Sequence, residues 1–385
     1  MRCHLLLATI LLLGVALRLG WAARQATDAA SLDALPDQTE YLQIGRNLAA
    51  GRGLQFTDPR FNQQVWAYRT PGYPVFVAAC GADITVIRIV QALLDASTAW
   101  AIYLVARTWL TPGWSLAAAA LCAVDPLLIY FSSLILSETL YIAMLAWGLV
   151  LLLRGSGRAV AGAALLALAV LVRPSGMLLP VLLPLAAVPR HRLLMAMAGA
   201  GFTVMALLPW AMRNHARLGS WIWTSTNAGI TRYDGFNPAA SGGSDQSFVR
   251  SMPELAGMGE VERSDYLNRL AGQYIQDHPA QVVKLTALKI GRMWSPVPLS
   301  SQFSRPLYVG VALAYSLPLM VLAVLGIAGP SLPGRAKLLL LAPAVYFTIV
   351  HAASVSSLRY RLAAEPPLTV LAASAGAWAA RKSSQ

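Results

Sequence analysis

A short polar stretch near the amino terminus has residue types suited to acid–base chemistry. It reads PDQTEYLQIGRNL over Pro36–Leu48 and places Asp37 and Glu40 three residues apart, with Tyr41 next to the second acid. A carboxylate held rigidly at the start of a helix can act as a general base for a hydroxyl within hydrogen-bond distance. The same spacing fits a capping box, although Ser or Thr is the usual cap, so helix capping is an alternative role for Asp37.

Arginines at the ends of apolar segments are a second candidate for chemistry. They include Arg69, Arg88, Arg173, Arg213, Arg359 and Arg361. An arginine near hydrocarbon is costly and tends to mark function, although a single one can also snorkel to lipid phosphates. As a set they predict an anionic ligand at the outer membrane surface, and guanidinium groups suit a phosphate. Arg69, Arg359 and Arg361 are the preferred phosphate ligands, with Arg173 and His351 added.

The composition predicts a chain whose main solvent is the bilayer. Of 385 residues 57% are apolar and 12% are charged, and the mean hydropathy is +0.56. Soluble domains carry about 25% charged residues. The formal charge of +13 does not indicate a nucleic-acid partner, because the basic residues lie between apolar segments. The three cysteines form no disulfide framework or CxxC pair.

The hydropathy pattern predicts an all-α membrane protein of about 8–10 transmembrane helices, since a span needs roughly 20 apolar residues. The candidate spans are Leu5–Ala23, Thr85–Ala106, Trp114–Phe131, Thr139–Leu153, Ala159–Val172, Gly176–Val188, Leu193–Met212, Leu307–Ile327, Leu338–Val350 and Pro366–Ala380. Ala159–Val188 is alternatively a hairpin that does not cross. The first segment is expected to be an uncleaved anchor, with a cleaved signal peptide as the alternative.

The distribution of charges predicts the orientation of the chain. With the amino terminus in the cytoplasm, the cytoplasmic segments hold basic residues and no Asp or Glu, which fits the positive-inside rule. These basic residues are Arg2, Arg107, Arg154, Arg158, Arg190, Arg192, Arg335, Lys337, Arg381 and Lys382. We therefore expect a multi-pass protein of the cytoplasmic (inner) membrane with both termini cytoplasmic.

Three regions follow from this topology. Residues 1–212 form a transmembrane core with a first outer loop at 24–71, residues 213–306 form an extracytoplasmic region, and residues 307–385 form the last spans. Within the outer parts, helices are expected over Gln38–Ala50, Gly257–Ile275 and Pro279–Met293, and a short helix that dips in from the outer side over Gly72–Cys80. The stretch NAGITRYDGFNPAASGGSDQS is expected to be a loop over the site.

Two acids fall within or beside apolar spans. Pairing of Asp95 with Arg88 two turns away on the same helix is one way to meet the cost of burying it, because i and i+7 share a face. Asp125 precedes Pro126, and this dipeptide is expected to break a helix near the surface. Neither acid is assigned a catalytic role.

Several sequence islands, in a fixed order, resemble the GT-C membrane glycosyltransferases, in the branch of the protein O-mannosyltransferases and the lipid A aminoarabinose transferase. The first outer loop holds PDQTEYLQIGRNLAAGRGLQF and YRTPGYPVFVA, and the second holds DPLLIYFSSLILSETLYIA. Later islands are LVRPSG, LLPWAMRNHARLGSWIWTSTNAG, HPAQVVKLTALKIGRMWSP and HAASVSSLRYRLAAEPPL. The resemblance covers most of Leu5–Leu368, and no island is decisive by itself.

The resemblance implies an inverting sugar transfer from a polyprenyl-phosphate-linked donor to an unknown lipid, glycan or protein acceptor. Asp37 matches the catalytic acid of the first loop and Glu138 the second acidic position, with Glu40 a further candidate. The donor phosphate would be bound by a set that includes Arg69, Arg173, Arg359, Arg361, His351 and Tyr41. No cofactor is required, but a divalent metal at Glu138, as in some relatives, remains open.

Other functions remain alternatives. A transporter or flippase for a lipid-linked saccharide would also need intramembrane charges, but we find no internal repeat of the kind such folds contain. A scaffold protein without chemistry would not need acids at two outer helix starts. GxxxxGK[ST], GxGxxG, GxSxG and HExxH are absent from the sequence, which disfavours nucleotide-driven enzymes and hydrolases of those types.

Overall fold

The computed structural model describes residues 2–299 and 303–383, and the described chain is almost entirely helical. The helices are α1 (Arg2–Ala22), α2 (Ala29–Asp33), α3 (Pro36–Ala49), α4 (Gly72–Ala79), α5 (Ile84–Ala106), α6 (Pro112–Ala123), α7 (Pro126–Ser132), α8 (Glu138–Leu152), α9 (Ser156–Val172), α10 (Leu179–Ala187), α11 (Arg192–Leu218), α12 (Asn227–Gly235), α13 (Phe248–Ser251), α14 (Glu260–Asp277), α15 (Pro279–Met293), α16 (Pro306–Ala328), α17 (Gly334–Ala352) and α18 (Glu365–Ser383). Two short strands, β1 (Phe56–Asp58) and β2 (Gln63–Val65), form an antiparallel hairpin. Helices dominate because only they satisfy every backbone group within one segment that crosses hydrocarbon.

The long apolar helices make this a multi-pass membrane protein. Five helices in the described residues, α1, α5, α11, α16 and α17, are long and apolar enough to cross a bilayer. The pair α6 and α7, bent by 50° at its break, would make a sixth. All six correspond to predicted spans.

The four other predicted spans are helices of a different kind. Helices α8, α9 and α10 have 15, 17 and 9 residues, which is short for an independent span. Helix α18 is buried along most of its length, where it packs against α16 and α6. Five to six helices, rather than eight to ten, therefore reach spanning length and composition.

Charged groups hold the break between α6 and α7. Asp125 caps α7, because its carboxylate accepts the backbone N–H groups of Leu127 at 2.8 Å and Leu128 at 3.2 Å. Arg18 of α1 donates to the carbonyl of Ala123, which the break leaves without a helical partner, at 2.7 Å. The predicted break at Asp125 is confirmed.

The predicted pairing of Asp95 with Arg88 is wrong. Asp95 instead accepts from Arg18 at 2.5 Å, so the ion pair joins α1 to α5. Arg88 donates to three backbone carbonyls, those of Gln25, Ala26 and Ser133. An arginine from another helix lies nearer to Asp95 than the one two turns away, which spacing along a single helix does not reveal.

The first polar loop and the later polar segment pack against each other. Ile44 of α3, Phe56 and Val65 of the hairpin, and Ile230 and Leu267 from the later segment share one apolar core. Helices α3, α4, α14 and α15 match the predicted outer helices. The hairpin was not predicted, and the segment expected to be a loop begins with helix α12 before it becomes irregular.

Candidate active site

The first catalytic candidate stands in the first turn of α3. Pro36 opens this helix after Leu35, whose side chain makes no capping bond. Asp37 does not cap the helix, so the capping-box interpretation is wrong. Its two carboxylate oxygens instead accept from Arg69 Nη2 at 2.5 Å and from Arg359 Nη1 at 2.6 Å.

The second acid stands at the start of α8, and two arginines bind it. Glu138 is 2% exposed and pairs with Arg173 Nη1 at 2.6 Å and with Arg359 Nε. Arg173 follows the last residue of α9, and Arg359 lies in a 3₁₀ turn after α17. Arg359 therefore bridges the two acids that sequence reasoning selected.

Arg69 is fixed from two sides. It pairs with Glu40, one turn after Asp37 on α3. Its guanidinium carbon lies 5.2 Å from the ring centroids of both Tyr41 and Tyr68. Tyr41, which was predicted as part of the phosphate-binding set, packs its ring against Arg69 and lies outside the cavity lining.

Six charged side chains form one connected group, which we call the ionic cluster. Its members are Asp37, Glu40, Arg69, Glu138, Arg173 and Arg359. Three carboxylates and three guanidinium groups sum to a formal charge of zero. They come from chain segments more than 300 residues apart, so only the fold brings them together.

The cluster and its burial shift the pKa values of Asp37 and Glu40 in opposite directions. Burial raises the pKa of Asp37, but the charges of Arg69 and Arg359 outweigh burial and hold that pKa well below its ordinary value. For Glu40 burial outweighs Arg69, and its pKa is raised. Asp37, whose side chain is 28% exposed, is therefore an accessible and fully ionised carboxylate.

A cavity of about 1610 Å³ opens beside the cluster. Asp37, Glu40, Arg69 and Arg359 line it, whereas Glu138 and Arg173 stand behind them. One part of its wall is apolar and comes from α1, α7 and α16, with residues such as Leu17, Ile129 and Val311. Polar residues of the wall come from α3, the hairpin, α12, the 236–247 segment, α15 and the 356–359 segment.

Four predicted phosphate ligands lie outside the cavity lining: Tyr41, Arg173, His351 and Arg361. Arg361 is completely buried and donates to Glu365 at 2.6 Å and to Ser316 Oγ at 3.0 Å. His351 is buried and stacks on Tyr360 with ring centroids 3.9 Å apart. Because the 3₁₀ turn directs Arg359 and Arg361 to different sides, only one of the two neighbouring arginines reaches the cluster.

Sequence reasoning missed part of the cavity wall. The missed polar residues are Arg24, Asp33, Arg60, Asn227, Asp234, Ser244, Gln246, Arg292 and Ser356. The polar composition of the 227–247 segment indicated that it covers the site but not which side chains face inward.

The carboxylates of the cluster are paired with arginines. No group of three or more His, Cys, Asp or Glu residues within residues 2–299 and 303–383 is placed to hold a metal. Asp37, Glu40 and Glu138 are each bound to arginine, and a cation would have to displace guanidinium groups that already neutralise them. Guanidinium groups therefore occupy the carboxylates of the cluster in this structure.

Comparison with known proteins identifies the fold. No family model and no curated protein matches the chain. The archaeal oligosaccharyltransferase AglB from Archaeoglobus fulgidus, in complex with an inhibitory peptide and a dolichol-phosphate, superposes with a TM-score of 0.57 at 14% identity. The match covers 97% of this chain and 50% of that one.

Two further structures are similar. The Archaeoglobus fulgidus oligosaccharyltransferase tethered to an acceptor peptide with the NVT sequon matches with a TM-score of 0.54 at 14% identity, over 96% of this chain and 49% of that one. ArnT from Cupriavidus metallidurans, bound to undecaprenyl phosphate, matches at 15% identity with a TM-score of 0.39. That match covers 97% of this chain and 77% of the ArnT chain. The chain spans about half the length of the oligosaccharyltransferase, and it has the fold of that enzyme, as its resemblance to the GT-C glycosyltransferases implied.

Proposed function

We propose that this protein is a membrane glycosyltransferase that moves a sugar from a polyprenyl-phosphate-linked donor to an acceptor on the extracytoplasmic side, with inversion and with Asp37 as general base. The observation that carries the proposal is an ionised, accessible carboxylate held between two arginines at one boundary of a cavity with both apolar and polar walls. Such a cavity suits a ligand that is part lipid and part phosphate.

The apolar wall supports a lipid donor. Leu17 and Gly20 of α1, Ile129 of α7, and Leu307 and Val311 of α16 line one side of the cavity. Both α1 and α16 are candidate membrane spans, so a polyprenyl chain beside them would remain in hydrocarbon while its phosphate meets the arginines. The AglB structure contains a dolichol-phosphate, which is a lipid of this class.

The reaction follows from the charges. The acceptor oxygen forms a bond to the anomeric carbon, and the bond from that carbon to the phosphate oxygen breaks. The electron pair leaves on the polyprenyl phosphate, and the acceptor proton moves to Asp37. Arg69 and Arg359 stabilise the charge that develops on the leaving phosphate. Glu138, which binds Arg359 and Arg173 from behind, orients the guanidinium groups.

The proposed orientation of the chain in the membrane rests on the residues at the two ends of α8 and of α9. Glu138 begins α8 and Arg154 follows its end, whereas Arg158 stands near the start of α9 and Arg173 follows its end. The ionic cluster and the basic, acid-free segments therefore belong to opposite ends of the same helices. We assign the basic ends to the cytoplasm of an inner membrane. The three-region division at 212 and 306 remains part of this proposal.

Lipid analysis of the purified full-length protein tests the proposal. We expect mass spectrometry to find a polyprenyl phosphate, or its sugar conjugate, with wild type, and at least a tenfold loss in Arg69→Ala. Arg46→Ala is the matched control, because Arg46 lies on the exposed face of α3. Only bulk phospholipid in all three preparations would refute a polyprenyl-phosphate donor.

A further inference from the structure

The polar side of the cavity contains a second group of side chains that the donor does not need. Five residues make up this group, which we call the polar wall. They are Asn227 and Asp234 on α12, Ser244 in the following loop, Arg292 on α15, and Ser356 after α17. All five line the same cavity as Asp37. None of them comes from α1, α7 or α16, which form the apolar wall.

Three of these residues have buried polar atoms without a hydrogen-bond partner in the part of the chain that the structure describes. They are Ser356 Oγ, Asn227 Oδ1 and Arg292 Nε, and the Ser356 residue is only 1% exposed. Buried polar groups are nearly always satisfied, so three unsatisfied ones at one wall need an explanation. A ligand with both hydroxyl donors and oxygen acceptors would satisfy all three.

Two glycines hold Arg292 in the wall. A Cβ atom on Gly243 would lie 2.5 Å from Arg292 Nη2, and Gly242 has a φ of +86°, a left-handed conformation that glycine adopts readily. The guanidinium group therefore rests against a backbone without side chains. The Gly-Gly pair of the SGGSDQS sequence thus has a defined structural role.

The one cation of the polar wall, Arg292, is not paired with the one carboxylate of the wall, Asp234, although the formal charge of the five residues is zero. Within residues 2–299 and 303–383 no carboxylate lies within ion-pair distance of Arg292. Asp234 is bound instead by Ser244 Oγ at 2.6 Å and by the backbone N–H of Asp245 at 2.8 Å. Lys289, one turn before Arg292, is fully buried with its Nζ 3.3 Å from the Phe236 ring centroid. An anion beside Arg292 would therefore supply the ion-pair partner that this guanidinium group lacks.

We propose that the polar wall is the acceptor subsite and that it takes an anionic, hydroxyl-bearing acceptor, namely a phosphorylated or carboxylated sugar. The anion binds Arg292 and keeps its bonds throughout, while a hydroxyl of the same molecule is the group that gives its proton to Asp37. The acceptor role rests on the proposed function, whereas binding of the anionic sugar does not. The donor phosphate has its own cations in Arg69 and Arg359.

Binding of small probes to the full-length protein in detergent tests the subsite. The probes are glucose, glucose 6-phosphate and glucuronate, measured by titration calorimetry. We expect one of the two anions to bind wild type at least tenfold more tightly than glucose. Arg292→Gln should lose about 10- to 100-fold of that affinity. Lys284→Gln, on the exposed face of α15, should lose none.

Two more variants distinguish anion binding at Arg292 from anion binding at the donor arginines. Gly243→Ala keeps the charge of Arg292 but displaces its guanidinium group, so it should also lose at least tenfold. Arg359→Gln should retain anion binding, because Arg359 belongs to the donor side. Equal binding of glucose and both anions, or loss in Arg359→Gln with none in Arg292→Gln, would overturn the proposal. The lipid analysis above reports separately on the donor, so a failure of either idea can be recognised.

Discussion

Replacement of Asp37 by Asn separates turnover from donor binding. The variant keeps the size of the side chain but removes the base and one negative charge. The ionic cluster then changes from a formal charge of zero to +1, since three arginines face two remaining carboxylates. We therefore expect the chemical step to fail while the anionic donor binds more tightly.

The structure sets the size of both effects. Loss of a general base slows turnover by roughly 10²- to 10⁴-fold, equivalent to about 3–5 kcal/mol in the barrier. Removal of one carboxylate beside the phosphate should strengthen donor binding by about tenfold, since solvent screens much of the charge. The fold should lose only about 2 kcal/mol, because Arg69 keeps Glu40 and Arg359 keeps Glu138.

The assay is native mass spectrometry of lipid bound to purified wild type, Asp37→Asn and Asp265→Asn. Asp265 lies on the exposed face of α14 and provides the matched acid-to-amide control. Asp37→Asn should hold more lipid than wild type, with the sugar still attached. A variant that loses the lipid, or that carries sugar-free polyprenyl phosphate to the same extent as wild type, would refute Asp37 as the base.

Three further predictions concern buried charges and are measured by thermal unfolding in detergent. Glu138→Gln should destabilise the fold by about 3 kcal/mol, because two arginines lose their shared carboxylate. Asp95→Asn should lower the free energy of unfolding by about the same amount, because it leaves Arg18 unpaired. The double variant Arg18→Met with Asp95→Leu should recover most of that lost stability, because it removes both charges. Lys289→Met should stabilise the protein at pH 7, because burial lowers the pKa of Lys289 to about 8 and the folded state bears a cost while the amine is charged. That gain should shrink as the pH rises from about 8 towards 10.5, where folded wild type has already released the proton.

Each of these predictions has a control and a contrary outcome. Glu262→Gln, on the exposed face of α14, should leave the unfolding temperature unchanged, and an equal effect at both glutamates would contradict the first prediction. A double variant no more stable than Asp95→Asn would contradict the second. Lys284→Met is the control for the third, and a pH-independent gain from Lys289→Met would show that packing rather than charge is responsible.

The pKa of Asp37 also predicts the pH dependence of turnover. Because Arg69 and Arg359 outweigh burial and hold this pKa well below its ordinary value, Asp37 stays ionised from pH 5 to pH 8. Single-turnover rates should therefore not fall across that range through titration of Asp37. A decline that follows a group with a pKa between 5 and 8 and disappears in Asp37→Asn would contradict this assignment.

Local signals in the sequence were sufficient for the long apolar helices and for α3. The spans at α1, α5, α11, α16 and α17 follow from long runs of apolar residues, and the end of α3 follows from glycines at 51 and 53, both of which adopt a positive φ. Resemblance in short islands pointed to Asp37, Glu40 and Glu138, which the structure places in one ionic cluster. Apolar runs, glycines and sequence islands are properties of a single segment, which neighbours in space change little.

Pairing between distant segments was not accessible in the same way. The capping interpretation of Asp37 failed because Arg69 and Arg359 bind its carboxylate, and the Arg88 pairing failed because Arg18 lies closer to Asp95. Arg359 and Arg361 look equivalent in the sequence, yet one faces the cavity and the other Glu365.

The sequence by itself therefore determined a helical membrane protein with acids and arginines at the ends of its helices. The tertiary structure decided which acid meets which arginine, that their charges cancel, and that Asn227, Arg292 and Ser356 face the same cavity. The physical reason is range: helix formation depends on hydropathy and hydrogen bonds within about four residues, whereas an ion pair in a buried site depends on contacts that join residues as far apart as Asp37 and Arg359.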